Sequence, residues 1–204
     1  MDLPMRQSLL LGAYLAYREG WVGRDELLGV FWPEEDEGTA RHNLSQLVYH
    51  CRRQPWFDGL EAERTRLRWR VDSDVQLFRA ALGAGAWHDA LSLYRGPLLD
   101  GAPAGLSLGF EAWLERERET LHGAWRDAVL EVAGVCEREG RWSDAVAYLR
   151  PVLAQDALAE DALQAYLRCA GPAGQRGRRC GSSRRSEPSY APSSTWRRWR
   201  RPSG

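Results

Sequence analysis

The sequence predicts a mainly α chain: three helices closed by a β-hairpin, then a run of helical hairpins, then a tail that can build neither. Three observations predict it. Apolar residues recur at helical spacing through most of residues 5 to 169. Alternation of apolar and polar residues, broken at a turn, runs over Leu60–Val71. Residues 171–204 contain no Leu, Val, Ile, Phe or Met, so they offer nothing from which to build a core. The chain of 204 residues is long enough for one large or two small domains.

The first helix is expected from about Met5 to Arg18, with Leu9, Leu10, Ala13, Tyr14 and Tyr17 on its buried face and Gly20 ending it. Its apolar run, Leu9–Ala16, resembles a short signal core. Only Arg6 precedes it, however, Tyr14 lies within it and Tyr17 just after, and it runs straight into patterned sequence, which favours a buried helix. Trp21 and Val22 add a short rung to a small sheet. The second helix, Arg24–Trp32, puts Leu27, Leu28, Phe31 and Trp32 inward and the acids Asp25 and Glu26 in its first turn, until Pro33 stops it.

An acidic linker, Glu34–Gly38, leads to a third helix over Thr39–Arg53, with Thr39 as its cap. Ala40, Leu44, Leu47, Val48 and Cys51 share one narrow face, the stripe a helix buries. His42, Ser45, Gln46, Tyr49 and Arg53 point the other way, flanked by Arg41 and Arg52. Such a face offers cations for phosphates and polar groups able to read base edges in a major groove. Taken alone, it is equally a solvated helix face. In the hairpin that follows, Leu67, Trp69 and Val71 face inward and Arg66, Arg68 and Arg70 outward, with the turn near Glu63–Thr65. Two helices, a third with a basic polar face and a basic hairpin make the layout of a small winged-helix domain over residues 1–74. On that reading the DNA contacts are Arg41, His42, Ser45, Gln46, Tyr49, Arg52 and Arg53 from the third helix, with Arg64, Arg66 and Arg68 from the wing.

Residues 75–170 read as helices throughout: Val75–Leu82, Trp87–Tyr94, Phe110–Arg138, Trp142–Ala154 and Ala159–Cys169. An internal echo links them, because the segment from Gly85 to Leu91 (GAWHDAL) matches that from Gly140 to Val146 (GRWSDAV). Each marks the turn of a tetratricopeptide-like helical hairpin. Pro97 is expected to end its helix and Pro151 to kink its own. Along Phe110–Arg138, Trp113, Leu114, Leu121, Trp125, Ala128, Val129 and Val132 face inward, and Glu-Arg pairs form a solvated face.

The segments RDELLGVFWPEED, ARHNLSQLVYHCRR, LRWRVDSDVQLF and LYRGPLL resemble bacterial transcriptional activators of the antibiotic regulatory type. In that family an OmpR-like winged helix is fused to a bacterial transcriptional activator domain of tetratricopeptide-like helices. The resemblance covers roughly residues 5 to 170. It implies that Thr39–Arg53 is the recognition helix and Arg64–Arg70 the wing strand, and that the helical module serves dimerisation, ligand sensing or contact with the transcription machinery. The family begins with a small antiparallel sheet that this sequence lacks, so either the sheet is dispensable or the natural start lies upstream.

Charge divides the chain. Residues 1–170 hold 19 Arg against 27 acids, whereas residues 171–204 hold 9 Arg against Glu187 alone. The tail reads as a basic nucleic-acid-binding arm, with Trp196 and Trp199 for stacking, or as the product of a frameshift. The frameshift is favoured. Gly174 lies 34 residues after Gly140, one repeat period, and reading each following codon one base earlier permits the amphipathic helix AALRQFEAFRAELRAELDL where RRCGSSRRSEPSYAPSSTW stands.

Other chemistry finds no support. Cys51, Cys136, Cys169 and Cys180 form no CxxC, a usage that fits a cytoplasmic protein and neither a disulfide frame nor a zinc site. His42, His50, His88 and His122 have no partners at ligand spacing, and His88 and His122 are expected at the surface. No nucleophile elbow, phosphate loop or HExxH occurs, so no catalytic residue, metal or cofactor is assigned, and no stretch is apolar enough to span a membrane. The expected partners are double-stranded DNA and, through the helical module, RNA polymerase or a second copy of the chain. The alternatives are a helical interaction scaffold without DNA binding and a truncated or frameshifted inactive relative.

Overall fold

The structure is a computed structural model that describes residues 3–102 and 105–177. It is mainly helical with one small sheet. The chain divides into two compact units, Met1–Val132 and Ala133–Gly204, the boundary falling inside the longest helix.

The first unit opens with α1 (Leu3–Arg18), β1 (Val22–Gly23), α2 (Arg24–Phe31) and α3 (Glu37–Arg52). A 3-10 turn (Pro55–Phe57) and the hairpin β2 (Leu60–Ala62) and β3 (Arg66–Trp69) follow. The strands pair antiparallel in the order β1-β3-β2, with Val22 opposite Leu67 and Leu67 opposite Ala62. That row is the inner face, and the next row, Arg68 opposite Glu61, is the outer one. Leu67 and Trp69 are buried, as their alternation demands, while Val71 lies beyond the strand and is half-buried.

Helix α1 is buried on a wider arc than its spacing suggested. Leu11 and Leu15 are fully enclosed, Ser8, Ala16 and Tyr17 are buried, and Leu9 is exposed. The helix packs on α3 and β3 on one side while its tyrosines reach the long helix on another, so no single stripe describes it. It also ends differently. Glu19, and not Gly20, takes the left-handed conformation (φ 59°), held by an ion pair to Arg79 at 3.1 Å.

Helix α3 corrects the expected cap. It starts at Glu37, and the Asp36 carboxylate, not Thr39, closes the N-terminus by accepting from the Thr39 amide at 3.0 Å. Asp accepts there as well as Thr does, and Gly38 within the first turn does not prevent helix formation. The predicted inward residues Ala40, Leu44, Leu47, Val48 and Cys51 are all buried.

Helices α4 (Asp74–Gly83) and α5 (Trp87–Leu93) form a hairpin. Ser73 and Gln76 make a reciprocal capping box at its start. The Gln76 amide also donates to Ala16 O, and Arg79 to Tyr17 O, which ties α4 to the end of α1. The next helix, α6 (Leu108–Arg138), carries its predicted apolar residues inward. Two of its charges are not solvated as expected. Half-buried Glu117 accepts a 2.6 Å hydrogen bond from Tyr17, and Arg118 donates to the carbonyls of Leu98 and Leu99. His122, expected at the surface, is half-buried beside Tyr94 and Trp125, which stack at 5.3 Å, because the helical turn places it next to Trp125.

The start of α6 is locked to the end of α2. Ser107 donates to Val30 O at 2.6 Å while accepting from the Phe110 amide, and a Cβ at Gly109 would lie 2.5 Å from Gly29 O. Beside this joint Tyr14, Phe31, Phe110 and Trp113 form one aromatic cluster, with Tyr14 and Trp113 centroids 4.6 Å apart.

The second unit holds the end of α6, α7 (Trp142–Gln155) and α8 (Glu160–Gly177), the last two packed together. The sequence echo is a structural one. Gly85 (φ 68°) and Gly140 (φ 70°) each end a helix with the same hydrogen-bond pair: Gly85 to Leu82 O and Ala86 to Ala81 O, Gly140 to Glu137 O and Arg141 to Cys136 O. Both are Schellman closures, which need the left-handed residue that glycine supplies. Helix α7 continues through Pro151 for another turn, forgoing the bond that Ala147 O would accept. Helix α8 runs past the expected end at Cys169, through Gly171 and Pro172 to Gly177, the glycine before Pro172 lessening the clash that restricts that position. The tail was expected to begin at residue 171, but residues 171–177 continue α8; the rest of the basic-arm and frameshift readings, residues 178–204, lies outside the described residues.

Cys51, Cys136 and Cys169 are buried free thiols. Burial pushes the Cys51 thiol up to about 11, which makes it a small core residue and not a nucleophile.

Two measurements check this packing. Gly109→Ala places its methyl on backbone atoms and is expected to cost about 1–3 kcal/mol in urea unfolding. Burial, aided by the Glu117 hydrogen bond, pushes the Tyr17 phenol up to about 12, and burial with a hydrogen bond to Glu26 raises Tyr14. A raised pKa means that the folded state holds the proton more tightly, so the stabilisation is complete below the ordinary phenol value of 10.0 and is lost as pH rises towards 12. Unfolding free energy is therefore expected to fall over that interval, less steeply in Tyr17→Phe.

Candidate nucleic-acid interface

The outward face of α3 and the outer face of the hairpin are joined through the start of α2. Arg41 pairs with Glu37 one turn before it and lies 3.7 Å from Asp25 in the first turn of α2. The neighbouring Arg24 donates its amide to Thr65 O at 2.8 Å and its guanidinium to Glu63 O at 3.2 Å, in the hairpin turn. The N-terminal half of α3 and the hairpin turn thus belong to one continuous surface. Tyr49, Arg52 and Arg53 lie at the other end of α3, roughly 12–18 Å along its axis from Arg41.

Along α3, Arg41, His42, Ser45, Gln46, Tyr49, Arg52 and Arg53 are all exposed. Their chemistry differs. The Ser45 hydroxyl donates back to Arg41 O at 2.8 Å, which uses its one proton within the helix. Arg53 donates to the Tyr49 hydroxyl at 2.7 Å and lies over its ring, so the two form a single stiffened pair. His42, Gln46 and Arg52 project without a recorded partner among the described residues. The amide of Gln46 is the group best suited to paired donation and acceptance on a base edge.

The hairpin arginines are less available than their alternation implies. Arg66 reaches both oxygens of Glu63, at 2.7 and 3.4 Å. Arg68 is half-buried and donates to both oxygens of Glu61, at 3.1 and 2.8 Å, and Arg70 also pairs with Glu61. Arg64, in the turn, is exposed and has no such partner among the described residues. Arg66 and Arg68 both lie over the Trp21 ring, 4.4 and 4.5 Å from its centroid.

Trp21, Glu61 and Glu63 are the residues that sequence reasoning missed. Register explains them. Continuing the β1–β3 pairing by one residue sets Trp21 beside Arg68, which faces Glu61 on the other side, so ring, cation and carboxylate form one row across three strands. The hydrogen bond and charge of Arg68 hold the Glu61 carboxyl below its ordinary value. The Asp36 carboxyl at the N-terminus of α3 is lowered in the same way by its bonds from Thr39.

Among the described residues no three His, Cys, Asp or Glu side chains converge as a metal site, and no helix is long and apolar enough to cross a membrane.

Asp36→Ala is expected to fray the start of α3 and lower the thermal midpoint by about a few degrees. A lowered carboxyl pKa contributes stability above its unfolded value, lost as pH falls through the folded one. The difference between Asp36→Ala and the parent is therefore expected to vanish in acid, which melting curves at descending pH measure.

No curated protein sequence matches the chain. The family profile of the bacterial transcriptional activator domain matches residues 70–178, from the last residues of the hairpin to the end of α8. With more than half of its length inside that match, the chain belongs to the bacterial transcriptional activator domain family.

Proposed function

We propose that this member of a transcriptional activator family is a DNA-binding regulator whose residues 1–74 act as a winged helix. Helix α3 enters the major groove, and Gln46 and His42 reach base edges. Arg41 and Arg52 bind the flanking phosphates, and the Tyr49–Arg53 pair stiffens the helix's far end. The hairpin is the wing, with Arg64, Arg66 and Arg68 on the backbone. The helical module couples this contact to a second copy of the chain, to RNA polymerase or to a signal.

The observation that carries the reading is the two-sided build of α3. Five apolar residues anchor it in the core, while seven polar or basic ones stand exposed on a surface continuous with a basic hairpin. A merely solvated helix requires no such neighbour. Family membership supports the regulatory context.

A second reading, an interaction scaffold without DNA binding, draws on the carboxylates that already occupy most hairpin arginines. Changing Arg41, Gln46 and Arg53 together to Ala separates the two. These residues are exposed, so the fold is expected to survive. Affinity for duplex DNA in a mobility-shift titration is expected to fall at least tenfold, with a shallower dependence on salt. Unchanged affinity would exclude the groove contact.

A further inference from the structure

We infer that Glu61 and Glu63 compete internally with DNA phosphate for the hairpin arginines, so that docking exchanges carboxylate for phosphate on Arg66, Arg68 and Arg70. The inference rests on the DNA-binding reading above and concerns how that site is regulated.

The occupancy is nearly complete. Of the four arginines between Leu60 and Val71, three pair with these two glutamates and only Arg64, at the tip, does not. A carboxylate and a phosphate offer a guanidinium the same pair of anionic oxygens, so each can replace the other on the same donors. The Arg66 and Glu63 side chains are each 47 % exposed and Arg70 is exposed, so a phosphate can approach these two arginines without unfolding the hairpin, whereas half-buried Arg68 is the least accessible of the three.

Exposed pairs of this kind add little to stability, which leaves their effect on binding as the larger consequence. Four arginines and two glutamates leave the hairpin with a net charge of +2, half of what its arginines alone would provide. The glutamates therefore weaken attraction to any duplex and set a threshold for docking.

Trp21 keeps the exchange local. Both guanidiniums lie over the Trp21 ring while their N–H groups hold the carboxylates, so the ring and the anion engage each cation at different places. Both cations can thus stay on the ring while the anion changes, and the wing need not reorganise.

The test titrates the full chain against a short fluorescent GC-rich duplex, between about 50 and 200 mM salt. It compares the parent with Glu61→Gln, Glu63→Gln and Glu119→Gln, an exposed acid of α6. Each hairpin variant is expected to bind about three- to tenfold more tightly at fixed salt, with a steeper salt slope, by up to about one unit. Glu119→Gln is expected to match the parent. Parent-like affinity and slope in Glu63→Gln overturn the inference, as does an equal gain in Glu119→Gln, which would make the effect one of overall charge. Glu63→Gln decides should Glu61→Gln fold poorly, since Glu61 faces half-buried Arg68. Loss of binding in the Arg41, Gln46 and Arg53 variant alongside an inert Glu63→Gln would refute only this inference. A parent that binds no duplex at low salt overturns both.

Discussion

The aromatic cluster of Tyr14, Phe31, Phe110 and Trp113 is the contact on which the first unit depends. Rings of this size bury more apolar surface than any other side chains, and here they come from three helices at once. The Ser107 and Gly109 joint beside them sets the start of α6 against backbone atoms at the end of α2. Tyr17 and Glu117 add a hydrogen bond one turn along each helix. Helix α6 is thus part of the core that supports α2 and, through α2, α3. The first turns of α6 are packed into the same core as α2, whose own first turn meets α3 through Asp25 and Arg41.

That arrangement gives the proposed regulator two separate controls. Packing sets where α3 is held, and surface electrostatics set how strongly its neighbourhood attracts a polyanion. The basic character of the hairpin is offset by carboxylates one strand away, and Arg41 is offset by Glu37 and Asp25. In the proposed site, preference for one sequence rests on Gln46 and His42, since unopposed cations would hold any sequence equally.

Much of this was legible from spacing. The buried stripe of α3, the alternation of β3, the inward residues of α6 and the paired glycine turns follow from periods of 3.6 and 2 and from glycine's conformational freedom, all of which are local. The errors fall where a local pattern meets a second neighbour. Leu9 belongs to the apolar run of α1 yet is exposed, because Leu11 and Leu15 face the side that the sheet and α3 close. Glu117 and His122 read as surface residues and are half-buried, because partners 100 and 28 residues away lie beside them. Within the candidate interface, the exposed residues of α3 could be named from the helix alone. The partners of the hairpin arginines could not, since Trp21 reaches them only through strand register.

The sequence by itself determined which segments become helices and strands, and which face of each is apolar, because these depend on neighbours within a few residues. Only the tertiary structure decided that the hairpin cations are already paired, that Trp21 carries two of them, and that α6 is built into the same core as α2. Each is a meeting of residues far apart in the chain, and no local period encodes the register or packing angle that brings them together.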